Sequence, residues 1–164
     1  AGISGHKSNQ MLARLERDVL SKSPNWMTLS CGVNDVWHGK RGVNLADYKV
    51  NITKIVDRCQ DAGIKVVLLT STMIGEDKDN ANNKKLSTYN DFLKELATEK
   101  KCLLADLNVE MQSIIEASND KKNGKLLTSD GVHMNADGNK MMATGVLEAL
   151  GLNPEQIKAA QAAW

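Results

Sequence analysis

Three short apolar runs punctuate the chain, at 26–31 (WMTLSC), 65–70 (KVVLLT) and 102–105 (CLLA). Each is too short for a helix and ends at a turn former or a polar residue, so each predicts a strand. The middle run, with four adjacent apolar side chains, predicts burial on both faces, as in a parallel sheet. Between these runs the apolar residues recur at helical spacing. Met11, Leu12, Leu15 and Val19 share one face of a helix that Ser8 would cap and that would run to about Leu20. Asn44, with Asp47 three positions on, starts a second helix in the manner of a capping box. Its buried stripe is Leu45, Tyr48, Ile52, Ile55, Val56 and Cys59, and Ala62-Gly63 ends it. Leu86, Tyr89, Phe92, Leu93 and Leu96 mark a third helix after a polar loop at 75–83. A helix follows near Leu107 to Ala117, then a loop from Asn119 to Lys125. A further helix would bury Met141, Met142, Val146 and Leu150, and an alanine-rich one begins at Pro154 and ends at Trp164.

Strand–helix alternation at this spacing predicts an α/β fold with a parallel sheet and helices on both faces. Such sheets bind ligands beyond the C-terminal ends of their strands. The first run ends at Gly32-Val33-Asn34-Asp35, which places that segment at the ligand edge, ahead of a polar loop through Gly42. The late segment Asp130-Gly131-Val132-His133 lies in a loop that can reach the same edge.

Charge excludes some partners. Twenty-one basic and 20 acidic side chains give a net charge of +1, which supplies no field for nucleic acid or an anionic membrane. Basic residues come in pairs such as Lys84-Lys85, Lys100-Lys101 and Lys121-Lys122, as on solvated faces. No stretch approaches the roughly 20 apolar residues of a membrane span. The three cysteines (Cys31, Cys59, Cys102) fall in apolar runs or on an apolar helix face and are expected as free thiols. There is no C-x-x-C, and His6, His38 and His133 lack ligand-like spacing, so neither a metal nor a cofactor is expected.

The polar residues that remain point to ester hydrolysis. That chemistry needs a hydroxyl nucleophile, a base to take its proton, a partner that fixes the base, and donors aimed at the oxyanion. His133 is the candidate base, because free imidazole titrates near pH ~6.5. Asp130, three residues earlier, can reach the ring across a tight loop. Asn34 offers a side-chain N–H, and the main chain at Gly5 offers another without a side chain in the way. Asp35 is read as a brace for its loop. Trp37 and His38, just beyond, are candidates for lining a substrate pocket.

In order and spacing these residues resemble the SGNH/GDSL hydrolase superfamily over essentially the whole chain. Ile3-Ser4-Gly5-His6-Lys7-Ser8 resembles the family's second block, Gly32-Val33-Asn34-Asp35 the third, and Asp130-Gly131-Val132-His133 the fifth. The resemblance implies a flavodoxin-like three-layer α/β/α sandwich in a single domain over 1–164. It also implies that Gly5 and Asn34 form an oxyanion hole and that Asp130 and His133 are acid and base. A small-molecule ester, with an O-acetylated carbohydrate first in line, is the implied substrate. Many members are exported, which favours a secreted or periplasmic setting.

The family's first block, a Gly-Asp-Ser that carries the nucleophile, occurs nowhere in these 164 residues. The expectation is that the chain is the C-terminal majority of a longer protein, with the first strand and the nucleophile upstream. The chain alone should then have negligible esterase activity. Ser4, Ser8, Ser30 and Ser129 are the substitute nucleophiles to weigh. The run at 26–31 would be left as an open sheet edge, through which the chain can self-associate. A non-catalytic flavodoxin-like binding module is the competing reading. It has no need of the Asp130/His133 pair.

Overall fold

The computed structural model describes residues 1–118 and 125–164. The three apolar runs become the strands Trp26–Ser30 (β1), Lys65–Leu69 (β2) and Leu103–Ala105 (β3), all parallel, in the order β1-β2-β3. Register aligns Leu29 with Leu68 and Leu69 with Ala105. As the central strand, β2 buries alternate side chains on opposite faces, which is why its sequence is apolar at consecutive positions.

Helices cover both faces and make the three-layer α/β/α arrangement. Leu29, Val66 and Leu68 share a core with Ile52, Ile55, Val56 and Cys59 of the helix Leu45–Asp61 and with Leu86 and Leu93 of Ala81–Lys100. On the other face, Val67, Leu69 and Ala105 pack with Leu107, Met142 and Val146. In chain order the helices are Ser8–Ala13 (α1), Leu15–Asp18 (α2), Val33–Trp37 (α3), Leu45–Asp61 (α4), Ala81–Lys100 (α5), Leu107–Ala117 (α6), Ala136–Ala149 (α7) and Pro154–Gln161 (α8). The expected cap at Asn44 is present, its side chain accepting from the Asp47 N–H. Among the described residues no helix is long and apolar enough to cross a membrane.

Several expectations need correction. The helix expected over 8–20 is broken at Arg14, which leaves helical geometry while its guanidinium bridges the Ala1 carbonyl and Asp18. Ser8 is the first residue inside α1 rather than its cap, because its hydroxyl is drawn to Asp35 instead. The segment after Gly32, read as a loop, holds α3 and a 3-10 turn at Gly39–Arg41. Leu150 is exposed at the C-terminal end of α7. The rest of the expected row holds, with Met141 buried and Met142 and Val146 packed against the sheet. Gly145 lies buried beside them, where a Cβ would lie only 2.7 Å from Leu107 Cδ2, so its lack of a side chain admits α6. The last helix stops at Gln161, short of Trp164. The expected loop at Asn119–Lys125 lies outside the described residues, apart from Lys125. Cys31, Cys59 and Cys102 are all free.

Because Leu68 is fully buried at the sheet centre, Leu68→Ala should cost about 2–5 kcal/mol of folding stability. Thr28→Ala, on the exposed side of β1, should stay within about 0.5 kcal/mol. Equilibrium denaturation of both variants checks this. Equal losses would place the core elsewhere.

Candidate active site

The segment after β1 turns sharply at Gly32, whose φ of +141° only glycine adopts readily, and a Cβ there would meet Ser71 Oγ at 2.3 Å. The turn starts α3 directly beneath the C-terminal end of the strand. Two inward residues then anchor α3. Val36 enters the core, and Asp35 is fully buried. The Asp35 carboxylate accepts from the Ser8 N–H (3.0 Å) and the Ser8 hydroxyl (2.6 Å), and the Ser8 hydroxyl also accepts from Asn51 Nδ2 (3.1 Å). Asp35 thus braces more than its own loop, because it ties α3 to the start of α1.

That tie brings Asn34 to the segment around Gly5. Asn34 Nδ2 donates to the His6 carbonyl at 3.2 Å, which uses one of its two N–H bonds and leaves the second. Gly5 is exposed, with φ of +74° and open space around it. Asn34 therefore stands on a helix rather than at a strand end, and its carbonyl is met by His38 Nδ1 at 2.9 Å.

Asp130 and His133 occupy the tip of a tight hairpin. Thr128 and Met134 form an antiparallel bridge, and the Ser129 N–H donates to the His133 carbonyl at 2.8 Å. Inside the turn, Asp130 Oδ1 accepts from the N–H groups of Val132 (2.9 Å) and His133 (2.8 Å). Its second oxygen, Oδ2, lies 2.7 Å from His133 Nδ1. The His133 N–H, the His133 ring and the Val132 N–H, in that order, hold the Asp130 carboxyl well below the usual carboxylate range. An ionised carboxylate only accepts, so Nδ1 donates to it, and in the neutral imidazole the lone pair is then at Nε2. Both side chains are solvent-exposed.

The hairpin hangs from a residue without any local sequence signal. Glu76, in the loop after β2, accepts at Oε2 from the Leu126 N–H (2.6 Å). Its Oε1 accepts from the Leu127 and Thr128 N–H groups and the Thr128 hydroxyl (each 2.8 Å). Next to it, the Gly75 N–H donates to the Gly131 carbonyl. Asn83 and Asn90, from α5, brace the same loop through the backbone of Ile74 and Ser71. Two asparagines on the otherwise apolar buried face of α5 are a legible signal for this. Glu76, 50 residues from its partners, is not.

Trp37 and His38 complete the site. The Trp37 indole lies edge-on to the rings of His133 (centroids 6.5 Å apart) and His38 (5.9 Å). The structure thus joins Asp130, His133, Trp37 and His38 through direct contacts, and Asn34 through His38. Gly5 meets the cluster only through its neighbour His6. Among the described residues no hydroxyl hydrogen-bonds to His133 Nε2. Ser8 is buried on Asp35, Ser129 Oγ donates to the His133 carbonyl (3.1 Å), and Ser4 and Ser30 are exposed elsewhere. A cleft of about 570 Å³ follows the open side of β1 and has Asn34 and His6 in its wall. Among the described residues no group of His, Cys, Asp and Glu could hold a metal ion.

Residues 1–141 match the family model described as GDSL-like Lipase/Acylhydrolase family. The acetylxylan esterase of Geobacillus stearothermophilus is 24% identical over 157 residues, covering 92% of this chain and 70% of that protein. Among solved structures, the acetyl xylan esterase AlAXEase is 33% identical with a TM-score of 0.87, covering 91% of this chain and 78% of that one. Axe2, an acetylxylan esterase from G. stearothermophilus, shares the fold at 23% identity with a TM-score of 0.84, covering 93% of this chain and 71% of that one. Catalytic mutants of Axe2 replace a serine, an aspartate or a histidine by alanine, the latter two lying three positions apart.

Two outcomes follow from the hairpin. Glu76→Ala leaves three backbone donors without their acceptor. It should cost about 1–3 kcal/mol and speed amide exchange at Leu126–Thr128. Hydrogen exchange that leaves those amides protected would remove Glu76 from its role. The depressed Asp130 carboxyl should stay ionised as pH falls through the ordinary aspartate value near ~3.9. Its stabilisation of the turn is therefore complete above that unfolded-state value and is lost only as pH falls through the lower folded one. Carboxyl carbon NMR checks this, and an ordinary titration would show that the turn bonds do not hold in solution.

Proposed function

The chain belongs to the GDSL-like lipase/acylhydrolase family, and from that premise we propose that it carries the acid, base and oxyanion donors of a serine esterase. The substrate is an acetylated carbohydrate. The observation that carries the reading is the 2.7 Å contact of Asp130 with His133 Nδ1, which leaves Nε2 free as a base. Supporting it, an aspartate and a histidine at the same spacing are replaced in catalytic mutants of Axe2. The acetyl group and the sugar come from the relatives, which are acetylxylan esterases.

The steps use these residues in turn. A serine hydroxyl gives its proton to His133 Nε2 as its oxygen attacks the acetyl carbonyl carbon. Asp130 holds the ring and stabilises the imidazolium. The carbonyl oxygen becomes an oxyanion, met by the Gly5 N–H and the second N–H of Asn34 Nδ2. Collapse expels the sugar alkoxide, which takes the proton from Nε2. The serine is left as its acetyl ester. Water, deprotonated by the same nitrogen, attacks that ester's carbonyl carbon, collapse expels the serine oxygen, which takes the proton from Nε2, and acetic acid leaves and ionises to acetate. In this reading the serine comes from outside these 164 residues, because among the described residues no hydroxyl hydrogen-bonds to His133 Nε2. A strand added in parallel to the open side of β1 would end beside Asn34 and deliver it.

In the intact protein, His133→Ala should lower kcat for acetate release from acetylated xylooligosaccharides by roughly 10⁴ or more. Asn34→Ala should lower it by about 10²–10³. Full activity in the His133 variant refutes the assignment. The 164-residue chain by itself should show no turnover sensitive to phenylmethylsulfonyl fluoride.

A further inference from the structure

Trp37 is held outward. Its two predecessors on α3 both point inward, with Val36 in the core and Asp35 bound to Ser8. The Val43 N–H pins the following turn to the Asp35 carbonyl at 3.0 Å. The indole cannot follow Val36 inward without unwinding that turn, and 44% of it stays exposed. Its edge contacts with the His133 and His38 rings leave much of Trp37 exposed beside a candidate catalytic histidine.

The surroundings of the ring say what it can hold. His38 and His133 both stand against it at steep angles, 62° and 74° between planes, so neither imidazole stacks flat on the indole. A cleft of about 430 Å³ beside it is lined by Trp37, His38, Gly39 and Arg41. His38 Nδ1 faces the Asn34 carbonyl, which only accepts, so Nδ1 donates and in the neutral imidazole Nε2 is an acceptor. The Arg41 guanidinium, which only donates, has no hydrogen-bond or ion-pair partner among the described residues, and the Arg41 N–H donates to the His38 carbonyl. A π face flanked by one acceptor and one donor matches a pyranose ring, whose C–H face is apolar and whose edge carries hydroxyls. A long acyl chain would leave both polar groups without partners.

We propose that the Trp37 indole is the stacking platform for a sugar unit of the substrate, with His38 Nε2 and Arg41 receiving its hydroxyls. The inference rests on the esterase reading for its substrate class and adds the subsite that selects carbohydrate over simple esters. The platform sets the sugar beside His133, so that binding energy from the non-reacting ring orients the ester.

Unacetylated xylotetraose tests this without any ester chemistry. In a proton–nitrogen NMR titration of the whole chain, the Trp37 indole N–H signal should move and saturate. Trp37→Ala should raise Kd about tenfold, equivalent to about 1.4 kcal/mol. Trp37→Phe, which keeps a π face, should retain most of the affinity. Since Trp37 is exposed, both variants fold, and their amide spectra verify it. Unchanged affinity in Trp37→Ala, or no saturable shift of the indole in the native chain, overturns the proposal. The esterase reading fails separately. If His133→Ala leaves full hydrolysis of ethyl acetate by the intact protein while Trp37 still binds xylotetraose, the triad is refuted and the platform stands.

Discussion

One carboxylate holds the candidate acid and base in place. Glu76 gathers three successive backbone N–H groups and a hydroxyl from residues 126–128, and the hairpin that carries Asp130 and His133 begins there. Charge-assisted bonds to backbone donors are stronger than neutral ones, and four on one residue fix a direction as well as a distance. The acid–base pair is itself exposed, so little apolar packing holds it. Its geometry is inherited from the loop after β2, and through that loop from the central strand.

The candidate oxyanion donors are positioned by a similar device. Asp35 is buried with no ion-pair partner among the described residues, and Ser8 supplies its closest donors. A buried carboxylate is tolerated when hydrogen bonds replace its hydration, and losing them would be costly. Ser8 and Asp35 therefore lock α1 onto α3, which sets Asn34 against His6. Two carboxylates with no assigned chemistry, one on each side, position the groups assigned to chemistry.

This division explains what could be read from the sequence. The strands, the parallel pairing and the buried stripe of α4 follow from apolar periodicity, which is local. The Asp130/His133 contact was legible because a three-residue turn confines both groups. Glu76 was not, since nothing near it in the chain distinguishes it from any acidic loop residue. Ser8 looked like a helix cap because Ser at that position usually is one. Only tertiary structure brings Asp35 close enough to take its hydroxyl. Leu150 failed for a different reason. Periodicity extends an apolar row for as long as the apolar residues recur, but α7 ends at Ala149 and leaves Leu150 exposed at its C-cap.

The same reasoning separates Trp37 from the other exposed aromatic residues. Trp26 lies on β1, at the strand's open side, where its exposure depends on what the edge meets. Trp164 is terminal, beyond the last helix. Trp37 alone is held out by a buried neighbour on each side of a hydrogen-bonded turn, within ring contact of His133. An exposed apolar ring gains nothing from water, and its enforced exposure beside His133 is the observation on which the proposed sugar platform rests. Gly32 sets the turn, Asp35 anchors it, and Trp37 is the side chain the turn delivers to the rim of the site.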